Sequence, residues 1–159
     1  MLFGKRKIIG LIRRWQTEQA TLEERIENLV WDLNVKPQGR IRHRNFLQLC
    51  ALHEVIELHF VTELEMLTEM QKFQHGRHIE LDACARQARR EQLTILAYLK
   101  QTINEWEAER PMAEEANGNL FDIFAEYWDL HRERIETSIN LLFPTYNGVP
   151  NARLQAARV

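Results

Sequence analysis

The sequence is poor in residues that build turns and cross-links: its 159 residues include only six glycines, four prolines and two cysteines. So few turn formers exclude a β-sandwich or a propeller, both of which need frequent turns. Cys50 and Cys84 form no Cys-x-x-Cys pair, which excludes a disulfide framework and gives no sign of a zinc site. We therefore expect two reduced, buried thiols in an intracellular protein.

The chain also lacks an excess of charge of either sign. It carries 21 Lys and Arg against 23 Asp and Glu, so it has no basic surplus of the kind that marks a dedicated nucleic-acid binder. No apolar run approaches the roughly 18 residues that cross a bilayer. The short apolar stretch near the N-terminus is interrupted by Arg13 and Arg14 before any cleavage site. We predict one cytoplasmic domain over 1–159, without a membrane span and without a direct nucleic-acid partner.

Four long segments carry helical periodicity, and no pair of alternating strands is present. The predicted helices cover about 8–34, 41–74, 79–110 and 118–143, and we expect the tail 145–159 to be frayed. Pro37, Pro111 and Pro144 end three of them, and the pair His75-Gly76 supplies a left-handed cap to the second. Four helices with short links predict an all-α fold, an antiparallel four-helix bundle.

Each segment has a stripe of core candidates. These are Ile12, Trp15, Gln19, Leu22, Ile26, Leu29 and Leu33 in the first; Phe46, Leu49, His53, Ile56, Phe60, Leu64 and Leu67 in the second; Leu93, Leu96, Leu99, Ile103 and Trp106 in the third; and Phe121, Phe124, Trp128, His131, Ile135, Ile139 and Leu142 in the fourth. The second segment has another apolar file, Leu47, Cys50, Leu58 and Val61. That helix is either central and fully buried, or one of its faces is an open groove for a partner.

Two histidine–carboxylate pairs share helix faces, His53 with Glu57 and His59 with Glu63, and His131 and Glu136 lie five positions apart in the last helix. Together with the Leu-Phe-Pro at 142–144 they resemble hemerythrin-like proteins, whose oxygen-binding irons take His and carboxylate ligands from all four helices of a bundle. The resemblance implies an iron site built on those six residues.

The first and third predicted helices contain no histidine, so the sequence supplies only half of such a ligand set. Ferritin-type sites need Glu-x-x-His, which is absent here. We expect core-facing histidines that hydrogen-bond a neighbour, and no cofactor. Iron is the alternative.

Nucleophilic catalysis has little to work with. Ser138 is the one serine, and the glycines are scattered rather than gathered in a phosphate loop. We therefore predict a protein that is not an enzyme. The stretch 105–129 is strongly acidic, which is typical of a solvated helix end or of a patch for a basic partner.

Several short motifs resemble the Rsd/AlgQ family of sigma-factor regulators. They are the run Leu11-Ile12-Arg13-Arg14-Trp15, the turn Val35-Lys36-Pro37, and His59-Phe60 followed by Glu63 and Leu64. The chain departs from the family at 53–58, where the family often has Asp-Tyr-x-Ser-Ala-Gly before its His-Phe. The resemblance implies a cytoplasmic bacterial anti-sigma factor.

Such a protein binds region 4 of the primary sigma factor and keeps it from RNA polymerase. The partner-binding residues that the resemblance and the open groove predict are Arg14, Trp15, Phe46, Leu49, His53, Ile56, His59 and Phe60. A helical adaptor whose basic N-terminus touches a membrane or a larger complex is a further alternative.

Overall fold

The computed structural model describes residues 2–34, 39–75, 77–107 and 113–144, and in these ranges the chain is helical, with no strand. The helices are α1 (Leu2–Asn34), α2 (Gly39–Phe73), α3 (Ile79–Glu107) and α4 (Ala113–Leu142). Each helix packs on two others: α1 on α2 and α4, and α3 on α2 and α4. The predicted four-helix bundle is confirmed. None of the helices in these ranges has the length and apolar character needed to cross a membrane.

Three helices begin earlier than predicted, α2 by only two residues, at Gly39 instead of 41. α1 starts at Leu2 instead of residue 8, and its first turn lies against α2, since a Cβ at Gly4 would make an ordinary contact of 3.7 Å with the ring of Phe73. α4 starts at Ala113 instead of residue 118, because the Ala and Glu residues at 113–116 are strong helix formers and carry the Asn-Gly pair at 117–118 into the helix. The predicted tail 145–159 lies outside the described residues.

α2 ends in the predicted left-handed turn. His75 has φ 53°, and its amide donates to the carbonyl of Lys72 at 3.0 Å. A non-glycine residue in this region of φ is uncommon. Gly76, the other member of the predicted cap, lies outside the described residues.

The apolar core is divided into two clusters along the bundle axis. One cluster holds Ile8, Ile12, Trp15, Met66, Met70, Leu81, Ile135 and Ile139 among others. The other holds Leu22, Ile26, Leu49, Ile56, Ile95, Phe121, Phe124 and Trp128 among others. Between them, all four helices place polar side chains in the interior. This polar layer is the feature that the fold positions most precisely.

The predicted core stripes of α1 and α4 are confirmed, that of α2 is confirmed in part, and that of α3 is rotated. In α3 the core face runs through Ala85, Ala88, Gln92 and Thr102, and Leu93 is 72% exposed. Polar and small residues occupy these α3 positions, so hydrophobicity alone places its face about one residue out of register.

In α2 the predicted Leu49, Ile56, Phe60 and Leu67 are buried, whereas Phe46, His53 and Leu64 are half-buried. The core face also includes residues that the predicted stripe omits: Asn45, Leu52, His59, Glu63, Met66 and Met70.

The second apolar file of α2 is open to solvent. Leu47, Leu58 and Val61 are each more than half exposed, so of the two alternatives for this helix, full burial is excluded and one face is open. The two cysteines are free, as expected, but Cys50 and Cys84 are half-buried and not buried.

Candidate functional site: a polar layer across the middle of the bundle

The polar layer contains side chains from every helix. Its members are Arg14, Trp15, Glu18 and Gln19 of α1; His59, Thr62 and Glu63 of α2; Glu91 and Gln92 of α3; and His131 and Arg134 of α4. The hydrogen bonds between its helices join residues 29 to 68 positions apart in the sequence. The layer therefore exists only in the folded bundle.

Glu63 is at the centre of this layer and is fully buried. Its Oε1 accepts from His131 Nε2 at 2.5 Å and from Gln92 Nε2 at 2.7 Å. Its Oε2 accepts from the indole Nε1 of Trp15 at 2.8 Å. Three donors from three other helices thus converge on one carboxylate, which satisfies a group that would otherwise be very costly to bury.

The centre of the layer holds a charge pair. Burial raises the pKa of Glu63, but the charge and hydrogen bond of His131, with smaller contributions from His59 and Gln92, outweigh it and lower the pKa overall. Burial likewise lowers the pKa of His131, yet attraction to Glu63 and its contact with Glu91 raise it to about 9. At neutral pH the pair is a buried carboxylate beside a buried imidazolium.

One arm of the layer runs from the centre to the α1 surface. His59 Nε2 lies 3.8 Å from Glu63 Oε2 and 3.0 Å from Gln19 Oε1. On the other side of the ring, Nδ1 lies 3.0 Å from Glu18 Oε2 and donates to it, because a carboxylate only accepts. Arg14 Nε then donates to Glu18 Oε1 at 2.9 Å.

The other arm runs from the centre to the surface between α3 and α4. His131 Nδ1 lies 3.2 Å from Glu91 Oε1 and donates to it. Arg134 Nε lies 2.8 Å and 2.9 Å from the two oxygens of Glu91. The two arms repeat one order of groups, arginine to glutamate to histidine, and both end at Glu63.

This order fixes the orientation of both imidazoles. A histidine that binds a metal commonly donates its other ring N–H to a carboxylate, which selects the tautomer and aims the remaining nitrogen. Here Glu18 and Glu91 accept from the two Nδ1 atoms, and both Nε2 atoms face Glu63. Two imidazoles and one carboxylate are also the donor set of many non-haem Fe(II) sites.

Aromatic rings from both apolar clusters lie against the two histidines at the centre. The His59 ring lies 6.0 Å from Trp15 and 5.9 Å from Trp128, and Phe60 meets His131 edge-on at 5.5 Å. These rings keep bulk water away from Glu63, which strengthens every electrostatic interaction inside the layer.

The side-chain nitrogen and oxygen atoms of the layer hydrogen-bond to one another and are not arranged around an ion. Over the residues the structure describes, no group of three or more His, Cys, Asp or Glu side chains is placed so that it could hold a metal ion. His131 Nε2 and Glu63 Oε1 are in direct contact at 2.5 Å.

The structure separates the predicted partner-binding residues into two groups. Trp15, Leu49, Ile56, His59 and Phe60 are at most 4% exposed, because they lie in the interior of the bundle. The folded chain therefore has no open groove at these positions. Arg14 is exposed, and Phe46 and His53 are half-buried.

Of the predicted metal ligands, the structure brings together His59, Glu63 and His131. His53 pairs with the exposed Glu57 at 3.8 Å, away from the layer. Glu136 faces Arg132 at 4.0 Å. The layer's contacts with His131 are made by Glu63 and Glu91.

Sequence reasoning missed Glu18, Glu91 and Gln92. Gln19 had a signal, since it interrupts an apolar stripe, and Gln92 stands on the core face of α3 once that face is placed correctly. Glu91 is only partly buried and belongs to an ordinary charged stretch, so no pattern distinguishes it.

Searches against protein-family models, curated proteins and solved structures return no match for this chain.

Proposed function

We propose that this chain is a hemerythrin-like metal-binding protein, in which His59, Glu63 and His131 hold one divalent ion of the Fe(II) class. The observation that carries the proposal is the paired arrangement of the histidines. Each Nδ1 is tied to a carboxylate of another helix, and each Nε2 faces Glu63. Carboxylates that accept from the outer ring nitrogen of an imidazole are a common feature around metal-binding histidines.

The spacing of the donor atoms supports the same function. Neighbouring ligand atoms around an ion with bonds of about 2.1 Å stand about 3 Å apart. His59 Nε2 lies 3.0 Å from Gln19 Oε1 and 3.8 Å from Glu63 Oε2. Gln19 would thus offer a neutral oxygen as a fourth ligand. It lies on α1, a helix in which the sequence predicts no metal ligand.

Binding of an ion would be an exchange with a proton. The Nε2 proton of His131 would pass to the solvent, while the hydrogen bonds that Trp15 and Gln92 donate to Glu63 hold the carboxylate in place. A bound iron would supply the oxygen binding or sensing of hemerythrin-like proteins. The residues of the chain orient the ligands and exclude water.

The experiment is an anaerobic titration with Fe(II), with Co(II) as a spectroscopic probe. We expect saturable binding of one ion per chain, visible as Co(II) absorption and as quenching of the fluorescence of Trp15 and Trp128. His59→Ala and His131→Ala should abolish binding, while His53→Ala, on the same helix but outside the layer, should bind as the wild type does. Absence of saturable binding to the folded wild-type chain would refute the proposal.

Sequestration of the primary sigma factor is the second candidate. One observation favours it: Leu47, Leu58 and Val61 form an exposed apolar row on α2. This row replaces the buried residues as the candidate surface for a helix of region 4. A binding titration against isolated region 4 at two salt concentrations tests it. Leu58→Asp should weaken binding, and the buried change Phe60→Leu should not.

A further inference from the structure

Two neighbouring helices present apolar side chains on one side of the bundle. Leu58 and Val61 of α2 and Leu93 of α3 are each more than half exposed. Arg89 of α3 reaches across to Gln71 of α2 at 3.4 Å, which marks the boundary between the two helices on this side. Leu93 follows Arg89 by four positions and Val61 precedes Gln71 by ten, so both side chains flank that boundary.

The charges around these apolar residues are separated by helix. Between residues 54 and 65, every exposed charged side chain of α2 is acidic, and between 86 and 100, every exposed charged side chain of α3 is basic. The acidic residues are Glu54, Glu57 and Glu65, and the basic ones are Arg86, Arg89, Arg90 and Lys100. This side of the molecule, which we name the α2–α3 face, therefore has an acidic half and a basic half on either side of an apolar centre.

The packing of α2 on α3 fixes which residues of this face share a height along the bundle. The two helices run in opposite directions, and Gln92 donates to Glu63 at 2.7 Å, so these two positions are level. Val61 stands two positions before Glu63, and Leu93 stands one position after Gln92. At a rise of about 1.5 Å per residue, Val61 and Leu93 are level to within about one residue.

The same comparison applies two helical turns away. Glu54 precedes Val61 by seven positions, and Lys100 follows Leu93 by seven, which returns each side chain to the same face of its helix. Glu54 and Lys100 are therefore also level with each other. Neither has an ion-pair partner among the residues that the structure describes.

This arrangement is complementary to itself under one symmetry operation. A twofold axis parallel to the helices places α2 of one copy over α3 of the other without a change of height. Val61 then meets Leu93, and Glu54 meets Lys100, and each contact occurs twice because the interface is isologous. A twofold axis across the helices would instead place α2 on α2, with acidic residues against acidic residues, which is unfavourable.

We infer that the α2–α3 face binds a second copy of this chain, in a twofold dimer whose axis runs parallel to the helices. Val61 and Leu93 form the apolar centre of the interface, and two pairs of Glu54 with Lys100 flank it. None of these residues belongs to the polar layer, so the inference does not rest on ion binding. A region 4 helix on Leu58 and Val61 would occupy the same face and is the competing occupant.

The first test is sedimentation equilibrium of the metal-free full chain at about 1 to about 100 μM, a range that measures a micromolar Kd. We expect a reversible dimer. Leu93→Glu should weaken association at least about tenfold, because it places a charge at the apolar centre twice in each dimer. Leu130→Glu is the matched control, since Leu130 is an exposed leucine of α4, and its Kd should match that of the wild type. Far-UV circular dichroism should show the same helicity in all three chains.

The second test reverses charges one helix at a time. Glu54→Lys and Lys100→Glu should each weaken self-association at least about tenfold, because each variant makes two like-charge contacts in its own dimer. Glu126→Lys makes the same change of net charge on the exposed surface of α4 and should leave the Kd unchanged.

A mixture of the two interface variants tests the register directly. In a mixed dimer of the Glu54→Lys and Lys100→Glu chains, both contacts join opposite charges. The mixture should therefore associate at least about tenfold more tightly than either variant alone. Restoration of this kind has no explanation within a single chain.

Three results would overturn the inference. The first is a wild type that stays monomeric at the highest concentration. The second is a dimer that Leu93→Glu leaves intact, or a mixture that associates no better than its components. The third is a monomer that binds isolated region 4 and loses that binding on Leu58→Asp, which would assign the α2–α3 face to a foreign helix.

Discussion

His59 and His131 stand on different helices and turn their Nε2 atoms toward opposite oxygens of one carboxylate, that of Glu63. The Nδ1 atom of each ring also hydrogen-bonds to a second carboxylate, that of Glu18 for His59 and that of Glu91 for His131. The two rings are thus oriented by bonds at both nitrogens, and the apolar clusters on either side fix the distance between helices. Glu63 is the group that both arms share.

Glu63→Gln should strongly destabilise the metal-free chain. The change removes the buried negative charge and leaves the imidazolium of His131 without its main partner inside the bundle. Loss of one partner of a buried pair costs about 3–5 kcal/mol. Urea unfolding followed by far-UV circular dichroism measures the loss.

Glu57→Gln is the matched control on the same helix. The Glu57 side chain is 55% exposed and faces only His53, so the free energy of unfolding should change by less than about 0.5 kcal/mol. If Glu63→Gln proved as mild as this control, the charge pair at the centre of the layer would be refuted.

The stability of the metal-free chain should depend on pH in a predictable direction. The pKa of His131 is about 9 in the folded state against 6.5 in the unfolded state. The contribution of His131 to the free energy of unfolding is fully present below pH 6.5. It disappears as the pH rises through about 9, which is a loss of about 3 kcal/mol. The lowered pKa of Glu63 acts at the other end, where stability falls as the pH drops below 4.5.

The midpoint of unfolding by urea, measured at intervals between pH 4 and pH 10, tests this dependence of stability on pH. We expect a maximum near pH 5 to 6.5 and a decline toward pH 9. His131→Gln should be less stable at pH 6 but should lose the alkaline decline. An alkaline decline of equal size in that variant would assign it to another group.

The fold was predictable because it depends on features that a sequence displays directly. The apolar stripes of α1 and α4, through Ile12 and Trp15 and through Phe124 and Trp128, predicted the faces that the structure buries. Proline and the scarcity of turn formers predicted the number of helices. These signals are local, so no knowledge of the partner helices was needed.

The site was not predictable in the same way, because its members are polar residues in core positions. Glu63 and Gln92 look like surface residues until their partners are known, and those partners are 29 and 68 positions away in the sequence. The spacing His-x-x-x-Glu selects two pairs in the sequence, His59 with Glu63 and His53 with Glu57. It gives no reason to prefer the pair that lies in the site. Only the packing of α2 on α1 and α3 decides which of the two pairs faces inward.

Trp15→Phe should weaken the layer through a single hydrogen bond. The indole Nε1 donates to the buried Oε2 of Glu63, and phenylalanine retains most of the packing without the donor. A hydrogen bond to a charged group contributes about 1.5–3 kcal/mol. Trp31→Phe is the control, since Trp31 is 73% exposed, and its unfolding free energy should barely change. Equal effects of the two changes would contradict the role of Trp15.

Binding of a divalent ion should release a proton from His131. At pH 7.5 this imidazole is protonated, because its pKa is about 9, and a ligand nitrogen must be unprotonated. Calorimetric titrations with Co(II) in two buffers of different ionisation enthalpy give the number of protons released, which we expect to be close to one per ion. Near pH 10 the release should vanish and the apparent affinity should be higher. His53→Ala should release the same proton as the wild type. Binding with no proton release at pH 7.5 would place the ion away from His131, at a site other than the polar layer.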